Sequence, residues 1–193
     1  MRYVMLFFFP VLLGLFSCNA PAKDPDPQPE PPVTAAVASE PSADARLAEL
    51  GIELPNASNP VANYVNVVRT GNLLFLAGKG PQKPDGTYIT GKVGSERTIE
   101  EGYEAARLTA INQLAVLKAE LGSLDKVKRI VKVLGMVNAV DDFTNQPEVI
   151  NGFSDLMVEV FGDRGKHARS AVGMGSLPRG ITVEVELIVE IEE

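Results

Sequence analysis

The chain has 193 residues, 45% of them hydrophobic and 22% charged, with a formal net charge of −7 and a sequence pI near 4.9. An acidic chain has no surplus of cations to neutralise a phosphate backbone, so nucleic acid is a poor partner. With one cysteine, Cys18, and one histidine, His167, an internal disulfide framework and a Cys/His zinc cluster within one chain are both excluded.

The chain opens with "MRYVMLFFFPVLLGLFSC", in which Arg2 precedes an uncharged apolar run of 14 residues, Tyr3 to Phe16. That run is too short to cross a hydrocarbon core of ~30 Å as a helix and reads as the apolar region of a signal peptide, residues 1–17. Its end, "LFSC", resembles the lipobox of bacterial lipoproteins, with Leu15, a small Ser17 and Cys18 as the lipidated residue, although Phe16 is bulkier than is usual there. The resemblance implies a lipid-anchored protein of the bacterial cell envelope; the alternative is a plain secretory signal. Residues 18–41 follow as a tether, with seven prolines between Pro21 and Pro41. Proline removes amide donors and favours extended chain over packed elements.

The folded domain is expected over 42–193. "SADARLAELG" reads as a short helix capped by Ser42 and stopped by Gly51. "NYVNVVRTGNLLFLAG" gives two apolar runs around Thr70-Gly71-Asn72, a hairpin signal, and "PDG" at 84–86 marks a turn. Thr98 and Glu101 form a capping box for a long helix in which Leu108, Ile111, Leu114, Ala115, Leu117 and Leu121 recur at helical spacing before Gly122. "VKRIVKVLGMVNAV" reads as a strand. Pro147 then opens a second helix with Val149, Phe153, Leu156 and Val160 on one face, ended by Gly162. In the last strand Val183, Val185, Leu187, Val189 and Ile191 share one face, while Glu184, Glu186, Glu190 and Glu192 share the other with Ile188. The order predicts an α+β domain with both helices on one side of a single mixed sheet, and the uncovered side predicts association with further copies.

Three segments carry a second resemblance. "HARSAVGMGSLPRGITVEVE" is similar to the C-terminal signature of the RidA/YjgF family of enamine/imine deaminases, and "VANYVNVVRTGNLLFLAGKGP" and "INGFSDLMVEVFG" resemble that family's first hairpin and second helix. It spans residues 46–193 and is closest to a longer branch with an extra N-terminal helix and an expanded loop around 82–97. It implies a chorismate-mutase-like fold, a homotrimer with clefts between subunits, and hydrolysis of reactive 2-enamino or 2-imino acids to 2-keto acids and ammonia. On this resemblance Arg169 binds the substrate carboxylate, Glu184 attends the hydrolytic water, Tyr64 lines the cleft and Gly78 lies near the substrate. The resemblance also places Lys79, where glutamine is frequent, and Ala171, where cysteine is frequent, among the substrate-binding residues.

The chemistry is consistent with these residues. A planar guanidinium grips a carboxylate through two parallel hydrogen bonds and orients the electrophilic carbon for water. Imines hydrolyse in water unaided, so no metal or cofactor is required, and a carboxyl group such as that of Glu184 suffices to pass the proton. The competing reading of Arg169 is an ion pair with a strand glutamate. His167 reads as a surface or packing residue, and Ser170 lacks a base for a triad. Lys92, Lys126, Lys128, Arg129 and Lys132 read as solvated charges. The rival function is a non-catalytic envelope module that binds a small carboxylate in the same cleft.

Overall fold

A computed structural model describes residues 42–192. Residues 1–41, where the sequence leads one to expect a signal peptide, a lipidated Cys18 and a tether, lie outside the described residues. Ser42 caps helix α1 (Ala43–Glu49), its hydroxyl accepting the Ala45 amide, and Gly51 ends the turn at φ +66°. The Asp125 carboxylate accepts from both the Ser42 hydroxyl and the Ala43 amide, at 2.8 and 2.7 Å, which ties the start of α1 to the turn after the long helix.

The expected hairpin joins β1 (Val67–Thr70) to β2 (Leu73–Lys79), with Gly71 at φ +58°. Helix α2 (Ile99–Leu121) starts at the Thr98/Glu101 capping box and stops at the left-handed Gly122. Strand β3 (Val127–Asn138) leads into α3 (Gln146–Phe161), whose second residue is Pro147, and then β4 (Ala168–Met174) and β5 (Val183–Ile191) complete the sheet. The strand order is β1-β2-β5-β3-β4; β3 and β4 are parallel and the other neighbours antiparallel. This is the predicted α+β fold: a single mixed sheet with helices on one face.

The inward residues of β5, Val183 to Ile191 in alternation, are at most 3% exposed. They meet Phe153, Leu156 and Val160 of α3 and Leu114 and Leu117 of α2, all fully buried. The inner stripe of α2 differs from the one its large residues suggested. Ala105, Ala106 and Ala110 are buried, whereas Leu108, Ile111 and Leu121 are half-buried at its flank. The reason is the close approach of the two helices: a methyl group at Gly152 of α3 would overlap the Tyr103 carbonyl of α2, so only small side chains fit along the crossing.

Among the described residues, no helix covers the opposite face of the sheet. It carries Phe75 and Val172, 42% and 39% exposed, with Leu134 and Ile188 half-buried between them. Some expected solvated charges are instead engaged. Glu190 is 8% exposed and accepts from Lys128 and Arg129 at 2.9 and 2.6 Å, and Lys92 donates to the Ala139 and Gly175 carbonyls. The expanded loop of 80–98 is fastened by the fully buried Val93, which bridges to Ala139.

Candidate functional site

Tyr64, Gly78, Lys79 and Glu184 line one cavity of about 390 Å³, together with Tyr88 and Arg179. Its geometry begins in a bulge. Leu76 pairs with Leu187 but Lys79 pairs with Val185, so β2 carries one residue more than β5 across this step. Gln113, buried in α2, bridges the irregularity by donating from Nε2 to the Ala77 and Val185 carbonyls at 2.9 and 2.7 Å. Gly78 thereby comes under the Glu184 side chain, where a methyl group would overlap Oε1. Burial, with a smaller contribution from Glu186 further along the strand, raises the Glu184 carboxyl above the usual carboxylate range. Among the described residues that carboxyl has no hydrogen-bond or ion-pair partner, and it lines the cavity.

Lys79 is in the cavity wall, yet its ammonium is committed. It donates to Asn66 Oδ1 at 2.7 Å and to the Ser58 hydroxyl and carbonyl at 3.2 and 3.4 Å. These three acceptors match its three protons. Lys79 therefore anchors the 58–66 segment that carries Tyr64, and its proposed contact with substrate would require breaking one of these bonds. Burial holds its pKa below the ordinary lysine value.

Arg169 and Ala171 are elsewhere. Arg169 pairs with Val133 and Ala171 with Gly135, and these neighbours face the helices. Glu184 pairs with Met136 and projects from the open face. One subunit thus holds Arg169 and Glu184 on opposite sides of its sheet. The Arg169 guanidinium lies against α3: Nη1 donates to Asn151 Oδ1 at 2.9 Å and Ser154 Oγ at 3.0 Å, and Nη2 reaches the Pro147 carbonyl at 3.4 Å. No carboxylate lies within ion-pair distance of it among the described residues, so the ion pair with a strand glutamate is absent. Among the described residues its Nε–H has no acceptor and Nη2 has only the long contact to the Pro147 carbonyl, so the Nε/Nη2 edge of the guanidinium, the edge that can grip a carboxylate with two parallel donors, carries no carboxylate.

The sequence reading missed Asn151, Ser154, Gln113 and Arg179. Three of these sit within helical patterns where a polar residue looks like surface. Arg179 has φ +58°, a left-handed conformation rarely taken by residues other than glycine, at the rim of the Glu184 cavity. No local pattern marked it beyond the Gly180 that follows.

A family model described as "YjgF/chorismate mutase-like, putative endoribonuclease" matches residues 44–191. The chain belongs to the YjgF family. Within that family it is 45% identical over 148 residues to Protein TCP17 of Trypanosoma cruzi, covering 76% of this chain and 92% of that protein. It is 31% identical over 142 residues to the 2-iminobutanoate/2-iminopropanoate deaminase of Dermatophagoides farinae, covering 73% of this chain and 95% of that enzyme. The crystal structure of Agrobacterium tumefaciens Atu1372 superposes with a TM-score of 0.72 at 44% identity, over 78% of this chain and 94% of that one. The YjgF family thus includes imine deaminases that are similar to this chain over nearly their whole length.

Proposed function

We propose that this YjgF-family protein hydrolyses reactive 2-imino and 2-enamino acids to 2-keto acids and ammonia, at clefts that combine Arg169 of one copy with Glu184 of another. The observation that carries this reading is the Arg169 guanidinium, which is fixed by neutral acceptors and whose Nε/Nη2 edge meets no carboxylate among the described residues. A substrate carboxylate would complete it. Water then adds to the imine carbon, the nitrogen is protonated, the C–N bond breaks, and one water has been exchanged for one ammonia. Glu184 is suited to carry the proton between water and nitrogen, because burial raises its carboxyl towards the pH of the reaction.

The opposed placement of Arg169 and Glu184 favours a site between copies, and the exposed apolar groups of the open sheet face favour a cyclic assembly, for which we propose a trimer. The "LFSC" segment supports anchorage of that assembly to a bacterial envelope membrane through Cys18.

The test is turnover of 2-imino acids generated in situ, with the full chain. Arg169→Lys keeps the charge but loses the fork, and should raise KM with less effect on kcat. Glu184→Gln should lower kcat by about 10²-fold or more at little change in KM. A wild-type protein that binds 2-keto acids but turns over no imine would replace the deaminase with the non-catalytic carboxylate-binding module.

A further inference from the structure

The single histidine of the chain is half-buried beside Arg169, and neither the sequence reading nor the proposed reaction uses it. His167 Nδ1 lies 2.6 Å from the Gly165 carbonyl oxygen, and Nε2 lies 3.0 Å from Ser154 Oγ. A carbonyl oxygen only accepts, so Nδ1 carries the ring proton and Nε2 of the neutral ring is the acceptor. The Ser154 hydroxyl proton is then spent on His167. What Ser154 turns towards Arg169 is a lone pair, and Nη1 of Arg169 donates to it at 3.0 Å while its second proton goes to Asn151. Because the guanidinium is planar, fixing both protons of Nη1 fixes the direction in which Nε–H and Nη2–H point.

We propose that Ser154 and His167 are positioning residues for Arg169: the ring orients the serine hydroxyl, and the serine aims the guanidinium fork at the substrate carboxylate. The inference rests on the reading of Arg169 as the carboxylate-binding group. The direction of the chain depends on a neutral ring. An imidazolium would donate from Nε2, turn the hydroxyl proton away from the ring, and set a second cation against Arg169. Burial first, and Arg169 to a smaller degree, hold the His167 pKa below the ordinary histidine value, against the opposing pull of the Gly165 carbonyl. The charged neighbours in the chain are engaged elsewhere: Lys166, next to His167, pairs with Asp163 at 2.6 Å, and Asp155, next to Ser154, accepts from Tyr103.

The experiment uses the full chain, 2-iminopropanoate turnover and titration with pyruvate as a carboxylate probe, with thermal melts to verify folding. Ser154→Ala removes one acceptor of Nη1 and should raise KM and the pyruvate Kd about tenfold, with kcat nearly unchanged. His167→Ala should do the same to a smaller extent. His167→Gln restores an acceptor near the Nε2 position without a titrating ring. It should recover most of the wild-type KM and lack the rise in KM expected of wild type as pH falls through the depressed His167 pKa. If Ser154→Ala and His167→Ala keep the wild-type KM, or if His167→Gln is as impaired as His167→Ala, the positioning role is wrong while the deaminase reading stands. If folded wild type neither binds pyruvate nor turns over the imine, the reading of Arg169 fails and this inference falls with it.

Discussion

The two faces of the sheet hold the two groups that the proposed function combines, and they are built differently. On the open face, Glu184 is held by backbone shape: a bulge in β2, a glycine beneath the carboxyl and burial that raises its pKa. On the helix face, Arg169 is held by polar side chains of α3 and, behind them, by the imidazole of His167. A carboxyl that must gain and lose a proton works best with few partners, since each hydrogen bond to its charged form would lower its pKa. A guanidinium that must present a rigid fork works best with many, since its charge is permanent and only its direction has to be controlled.

The comparison is broken most severely by changing the shape under Glu184. Gly78→Ala sets a methyl group into Oε1, the mobile end of the side chain, so the fold should tolerate it while the carboxyl is displaced. Kinetics should show kcat/KM lower by about 10²-fold, in line with the cost of an ångström of misplacement, with a melting temperature close to wild type. Lys79→Met should follow. It leaves the Asn66 and Ser58 oxygens without their donor, and denaturant titration should show a loss of about 1–3 kcal/mol together with a raised KM as the Tyr64 segment loosens.

Smaller effects sharpen the contrast. Glu186 contributes to the raised pKa of Glu184, so Glu186→Gln should move the ionisation that governs activity to lower pH, read from the pH profile of kcat/KM. The stability arising from the Glu184 carboxyl is present below its unfolded pKa and is lost as pH rises through the folded value. His167 has the opposite pH dependence. With its folded pKa depressed, the unfolded chain binds the proton more readily, so stability is present above the unfolded histidine value and falls as pH drops through the folded one. Melts on the acid side of neutrality should show this slope in wild type, and His167→Gln should lack it.

The sequence also had uneven reach over these two regions. Its apolar periodicities and punctuation, from the Thr98/Glu101 box to Gly122, and from Pro147 to Gly162, are local signals, and the helices begin and end where those residues dictate. Arg169 stood out as one cation among small residues, whereas Glu184 was singled out among the glutamates of the last strand by the resemblance to the RidA/YjgF family. Their supports were not visible. Gln113 reads as an ordinary polar position in a helix until the fold brings it to the carbonyls of Ala77 and Val185, and Ser154 reads as a solvent-facing residue until β4 brings Arg169 against it. Likewise the alanines of α2 gave a weaker pattern than its leucines, yet the approach of α3 at Gly152 made them the core stripe.

By itself, then, the sequence determined the elements, their order and the buried face of β5, because capping, turn chemistry and periodicity act over a few residues. The tertiary structure decided which charges are engaged and which are free. Lys79 was bound to a loop 13 to 21 residues away and Glu190 to a neighbouring strand, while Arg169 was left with an open fork. It also decided that Arg169 and Glu184 face opposite ways, since the side of the sheet on which a residue projects is fixed by its register with β3, a partner remote in the chain.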